Sequence, residues 1–349
     1  MRIRWGVVLW LLLGLPLMTS AGWAQLAPST DEPPVSNAPA EPEQEPVAAI
    51  KLRVNLVDLF FTVKDKAGNL VSHLTKDDCT VSEDKQPQTL KSFAAETQQP
   101  LTLGILLDTS GSQSRVLTLE QDAGSQFLER VLKPKDEAFL LSFDVAVSLL
   151  QDSTDSPKLL AQAIRKAEIN TAGGNGAAGI PGAGGGTIPT IGAPKGTLLY
   201  DAVYLAANNK MNQETGRKAI ILLTDGEDEG SRTKINEAIA AAEKSNVIVY
   251  TILIADRGFY ARVDYNGYSA MKKLTEETGA RLIDVGNNGK KLEAAFQQIE
   301  DELRTQYVAS YTPGNTRLDG GFRRLSVECR GDGLKVQVRK GYFAVAPEN

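Results

Sequence analysis

The chain has 349 residues but only one histidine, His73, and two cysteines, Cys79 and Cys329. An ordinary zinc site draws four ligands from Cys and His, so this inventory excludes one. Serine hydrolysis is also poorly served. His73 is the only imidazole available as a base, and no G-x-S-x-G elbow surrounds Ser110 or Ser112. Positive charge is in deficit, with 38 Lys and Arg against 43 Asp and Glu and a formal charge of −5. That balance disfavours nucleic acid as the main partner.

Long apolar runs are missing as well. The stretch from Val7 to Met18 is shorter than the roughly 20 residues that span a bilayer. Arg2 and Arg4 precede it, and Gly22 and Ala24 follow it at positions suited to cleavage. Residues 1–24 therefore read as a signal peptide, with an uncleaved anchor as the rival reading. No cysteine follows the cleavage region, which argues against a lipoprotein. After cleavage no transmembrane segment is expected. Residues 25–49, rich in Pro, Glu, Ala and Ser, cannot bury a core and read as a disordered or extended tether. The leader specifies export and leaves periplasm, cell surface and medium open. In an oxidising compartment Cys79 and Cys329 either form a disulfide or stay as two lone buried thiols.

What the chain does have is 42% hydrophobic residues, enough for a full core. Two apolar runs stand out. LTLGILLDTSGS, from Leu101 to Ser112, ends abruptly in an acid, serines and glycine. AIILLTDG, from Ala219 to Gly226, ends in Asp225. Each reads as a buried strand delivering oxygen-bearing side chains to a sheet end, and together they suggest a hard-cation site.

Residues 98–306 alternate strand and helix. A helix is expected from about Ser114 to Leu132, with Val116, Leu119, Ala123, Phe127 and Val131 on one face. EAFLLSFD and AVSLLQDS are close enough to pair as a hairpin, and Pro157 opens the next helix. The fold class is α/β: an open, doubly wound, mostly parallel sheet with helices on both faces. Residues 50–97 and 307–349 instead alternate in the manner of short antiparallel strands and are expected to share one small β domain. A Cys79–Cys329 bridge would staple its halves.

Asp108-Thr109-Ser110-Gly111-Ser112 fits DxSxS and resembles the metal-ion-dependent adhesion site of von Willebrand factor type A domains. Thr197 and Asp225 stand where that family places a later threonine and a further aspartate. The segments LTKDDCTVSED, PLTLGILLDTSGS and RKGYF are similar to the bacterial VWFA-related family of acidobacterial exported proteins. The chain departs from it at Cys79, where an aromatic is expected, and in the glycine-rich insertion before Thr197. The resemblance implies direct ligation by Ser110, Ser112 and Thr197, with Asp108 and Asp225 bound directly or through water. It also implies an open position for a partner's carboxylate.

The oxygen-only donor set suits Mg²⁺ first, then Mn²⁺ or Ca²⁺. The alternative for Asp108, Ser110 and Ser112 is helix capping. Glu227, Asp228 and Glu229 read as a solvated acidic loop or a second cation site. Asp144 reads as a turn residue or a site neighbour, and the tyrosines of 259–268 as rim packing or a contact surface. The glycine-rich loop 172–186 lacks the Gly-Lys-Ser/Thr ending of a P-loop.

The expected function is an exported, non-enzymatic adhesion module for a protein or surface ligand bearing a carboxylate. A structural protein with an unused site is the alternative. A Mg²⁺-dependent phosphoester hydrolase is the weaker third reading: haloacid-dehalogenase-type chemistry needs an acid two residues after the nucleophile, where Ser110 stands.

Overall fold

The computed structural model describes residues 56–95, 99–170, 196–255 and 266–345. The expected signal peptide at 1–24, the tether at 25–49, the loop at 172–186 and most of the tyrosine stretch at 259–268 lie outside the described residues.

The strands are β1 Val57–Lys64, β2 Cys79–Glu83, β3 Gln86–Pro87, β4 Leu90–Ala95, β5 Leu101–Asp108, β6 Glu137–Phe143, β7 Val147–Thr154, β8 Arg217–Thr224, β9 Ile248–Leu253, β10 Leu282–Asp284, β11 Tyr307–Tyr311, β12 Phe322–Cys329, β13 Lys335–Val338 and β14 Gly341–Phe343. The helices are α1 Leu117–Val131, α2 Pro157–Arg165, α3 Leu199–Leu205, α4 Ile235–Lys244, α5 Gly267–Thr278 and α6 Gly289–Arg304. No described helix is long and apolar enough to cross a membrane.

The central sheet runs β10-β9-β8-β5-β6-β7. Its strands pair in parallel except for β7, which returns antiparallel beside β6 as the expected hairpin. All eight residues of β5 are buried, because apolar layers cover both faces. Leu103, Ile105 and Leu107 face one layer with Phe127 of α1, Ile164 of α2 and Phe296 of α6. Leu106 faces the other, with Val203 of α3, Ile239 of α4 and Leu274 of α5. Gly104 admits the Phe139 ring here: a β-carbon at this position would lie 2.7 Å from Phe139 Cζ.

Ser156 caps α2, its hydroxyl accepting from the Leu159 amide, and Pro157 occupies the first turn as expected. The start of α1 differs from expectation. A 3₁₀ turn, Gly111–Arg115, precedes the helix. Leu119 points outward at 41% exposed, and Glu120 occupies the buried face at 0%.

Strands from the two ends of the chain form two further sheets, β13-β1-β11-β4 and β14-β12-β2-β3. Leu59 and Phe61 of β1, Val81 of β2, Tyr307 and Tyr311 of β11 and Val327 of β12 share one apolar cluster between them. Cys79 lies opposite Cys329 in the β2–β12 ladder, and the two form a disulfide. The lone-thiol alternative is thereby excluded in this structure.

Glu243, on α4, is buried facing Glu277 and Arg339. Burial first, and then the Glu277 charge, push its carboxyl up to about 7 from 4.5, against the pull of Arg339. A raised acid is neutral in the folded chain while its unfolded counterpart ionises, so stability falls as pH rises across that interval and levels off above about 7. Glu243→Gln is expected to remove about 3 kcal/mol of that decline. Urea midpoints at pH 4.5 and 8 check this; parallel pH dependence in wild type and variant would refute it.

Candidate metal centre

β5 and β8 are adjacent and parallel, with Leu107 opposite Leu223, so the chain leaves both strands at one edge and sets Asp108 beside Asp225. Asp108 is fully buried. Its Oδ2 accepts the Thr224 hydroxyl at 2.6 Å and its Oδ1 the Ser110 amide at 3.0 Å. Ser110 Oγ and Ser112 Oγ are 3.0 Å apart. Ser112 donates to Asp225 Oδ2 at 2.5 Å, and Gln113 Nε2 donates to the same oxygen at 3.0 Å.

The Asp225 loop turns through Gly226, at φ +87°, where a β-carbon would meet the Gly267 carbonyl oxygen at 2.8 Å. Both the dihedral and the space require glycine. The turn brings the Glu227 amide back to Asp225 Oδ1 at 3.1 Å.

Thr197 is 8% exposed and comes to this edge through its main chain. Its carbonyl accepts the Glu229 amide at 3.2 Å, and the next amide, of Leu198, donates to the Asp144 carbonyl at 2.8 Å. Asp144 in turn accepts from the Thr109 hydroxyl at 2.8 Å and from Asn170 Nδ2 at 3.0 Å. Four of the five expected residues are thus joined by hydrogen bonds, while Thr197 bonds to Glu229 and is followed by the Leu198 amide on Asp144. Asp144 is both a turn residue, accepting from the Ala146 amide, and a neighbour that braces Thr109.

The acidic loop is neither simply solvated nor shown as a second cation site. Glu227 Oε1 accepts the Asn266 and Gly267 amides at 2.8 and 2.9 Å and so caps α5. Asp228 Oδ1 accepts the Tyr200 amide and the Ser231 hydroxyl. Only Glu229 is exposed.

Two buried side chains next to these residues were not expected from sequence. Gln113 is 1% exposed, and its Oε1 has no hydrogen-bond partner. Glu120 is wholly buried, and neither carboxyl oxygen has a partner. Burial pushes the Glu120 carboxyl well above its ordinary range, with Asp108 and Asp225 adding to the shift. Asp108 is raised too, by burial first and then by the Asp225 charge, against the bonds from Ser110 and Thr224.

No group of three or more His, Cys, Asp and Glu residues able to hold a metal occurs among the described residues. The centre has two aspartates, and its remaining donors are hydroxyls. That oxygen-only set fits a hard cation. So does the electrostatics, because the side-chain charges acting on Asp108 and Glu120 are all acidic.

No family model and no curated protein matches the chain. Solved structures do. Proximal thread matrix protein 1 from the mussel byssus is 13% identical, with a TM-score of 0.46 over 64% of this chain and 51% of that one. A second structure of that protein is described as having a zinc-occupied MIDAS motif. BatB from Bacteroides thetaiotaomicron is 16% identical, with a TM-score of 0.42 over 58% of this chain and 99% of that one. The vWF domain of the type V pili tip protein Mfa5 from Porphyromonas gingivalis is 14% identical, with a TM-score of 0.41 over 59% and 95%.

The α/β unit is an open, mostly parallel six-stranded sheet flanked by helices. This chain spans about half the length of the mussel protein. In this unit the DxSxS loop follows the central strand β5 and the second aspartate follows its neighbour β8.

Proposed function

We propose that the protein is an exported, non-enzymatic binding module that captures an acidic group of a protein or surface partner at a metal-ion-dependent adhesion site. The observation that carries this reading is the hydrogen-bonded group of Asp108, Ser110, Ser112 and Asp225 at the carboxyl edge of β5 and β8. Residues 98–306 would form the binding unit, and 50–97 with 307–349 its β support. A cleaved leader at 1–24 and a tether at 25–49 would place both outside the cytoplasm.

Mg²⁺ is the favoured cation, ahead of Mn²⁺ and Ca²⁺. Neighbouring oxygens in an octahedron of Mg–O bonds near 2.1 Å lie about 3.0 Å apart, whereas an octahedron of Ca–O bonds of 2.3–2.6 Å would set them about 3.3–3.7 Å apart and only a higher-coordinate Ca²⁺ site would bring them closer. The two serine oxygens already stand at 3.0 Å. Ser112 directs its proton at Asp225 and accepts from Ser110, which leaves one of its oxygen lone pairs for a cation. Ser110, Ser112 and Thr197 would ligate directly, and Asp108 and Asp225 would bind directly or through water and balance the charge. A bound divalent cation would supply an electrophilic position for a partner's carboxylate.

A structural role without a cation is the second reading, favoured by the way Ser112, Gln113 and Glu227 already satisfy Asp225. Calorimetry separates the two. Wild type is expected to bind Mg²⁺, and Asp108→Ala to lose that binding by at least tenfold with an unchanged circular dichroism spectrum. A wild type that binds none of Mg²⁺, Mn²⁺ and Ca²⁺ would leave only the structural reading.

A further inference from the structure

The residue after the second serine, Gln113, sits in the 3₁₀ turn that begins at the DTSGS loop and is almost completely buried. A buried carboxamide is expected to have both its donor and its acceptor satisfied. Here only the donor half is: Nε2 is 3.0 Å from Asp225 Oδ2, while Oε1 has no partner. Within one carboxamide the oxygen and nitrogen lie about 2.2 Å apart, so the unpartnered oxygen stands close beside Asp225. Two acceptors side by side call for a donor between them.

The nearby orphans reinforce this. The Glu120 carboxyl oxygens, in the first turn of the helix that follows, are also without partners. No basic side chain is among the charges acting on Asp108 or Glu120.

We propose that Gln113 is a specificity-determining residue of the cation site, its Oε1 accepting a hydrogen from a water carried by the bound cation while its Nε2 holds Asp225. The inference rests on the adhesion-site reading above. A cation that keeps part of its hydration shell satisfies the orphan oxygen; one that sheds its water leaves it bare. Mg²⁺ dehydrates reluctantly and retains several waters, whereas Zn²⁺ commonly settles into four-coordinate sites. Gln113 therefore favours Mg²⁺ over Zn²⁺. A thioether or alkyl side chain of the same size would fill the space and lose both bonds.

The test is calorimetric titration of wild type, Gln113→Met and Gln113→Leu with Mg²⁺ and with Zn²⁺, each variant first checked for an unchanged thermal transition. Substitution of groups that support metal ligands typically weakens affinity about 10- to 100-fold. Mg²⁺ affinity is expected to fall by about that factor in whichever variant keeps its thermal transition, and Zn²⁺ affinity by much less. Equal losses for both metals would reduce Gln113 to a clamp on Asp225 and overturn the water reading. Unchanged Mg²⁺ affinity would overturn it too. Wild type binding neither metal would overturn this inference, and wild type binding neither these nor Mn²⁺ or Ca²⁺ would defeat the adhesion-site reading itself. A wild type that binds, with variants that do not discriminate, defeats the inference alone.

Discussion

Glu302→Ala is expected to destabilise the fold by about 3–5 kcal/mol, the typical cost of breaking a buried ion pair from one side. Glu302 is fully buried on α6. Its Oε1 accepts Lys64 Nζ of β1 at 2.7 Å and also the Arg281 guanidinium, and its Oε2 accepts Gln337 Nε2 of β13 at 3.2 Å. One carboxylate thus ties the C-terminal helix of the α/β unit to two strands of the flanking sheet. It also separates two cations. Burial already holds the Lys64 amine below its ordinary range, with Glu302 opposing that shift and Arg281 adding to it. Without Glu302, Lys64 and Arg281 would face each other with no counter-charge. Glu302→Gln keeps the shape and part of the hydrogen bonding, so it should fall between wild type and alanine. Urea denaturation of the three proteins checks this. A cost below 1 kcal/mol for alanine would show that water replaces the carboxylate without loss.

The second large effect concerns the disulfide. Cys79 and Cys329 close a loop across a sequence separation of 250 residues. The chain-entropy model puts the stabilisation from so long a loop at about 5 kcal/mol, while measured values cluster nearer 2–4. The double variant Cys79→Ala/Cys329→Ala is expected to lose about 3 kcal/mol and still fold, because β1 keeps its ladders to β11 and β13. Chemical denaturation of wild type under oxidising and reducing conditions should show the same difference. Peptide mapping that finds both thiols free after oxidative refolding would remove the bond from the argument.

The parts of the structure legible from sequence are those written in local pattern. Apolar runs ending in DTSGS and TDG marked β5 and β8, because a strand buried on both faces must be apolar throughout and its polar residues can appear only where it ends. Alternation around 50–97 and 307–349 identified strands. It did not specify that β2 would lie opposite β12, since pairing partners so far apart leave no periodic trace.

Charge burial was the main loss. Glu120 fell outside the apolar stripe drawn through Leu119, because a glutamate on a helix is ordinarily assigned to solvent. Val116, Ala123, Phe127 and Val131 are buried as expected, and Glu120, three residues before Ala123 and seven before Phe127, lies on that same face. Gln113 carries no signal of its own, and only the position of Asp225 reveals what its amide does. Glu227 was legible as part of an acidic cluster, yet its task as the cap of α5 depends on a loop some forty residues downstream.

One consequence follows from where the α/β unit is attached. β4 and β11 pair directly, Ala95 opposite Tyr307, so the chain departs into the α/β unit and returns from it at neighbouring points of one ladder. Tension applied between the two ends of the polypeptide would therefore run through the flanking sheets and the Cys79–Cys329 crosslink and bypass the excursion between them. A partner gripping the Asp108 edge would pull on the opposite extremity of that excursion, and its two stems would share the load as adjacent antiparallel strands. The proposed cation site would thus bear traction from outside while strain along the backbone is carried elsewhere.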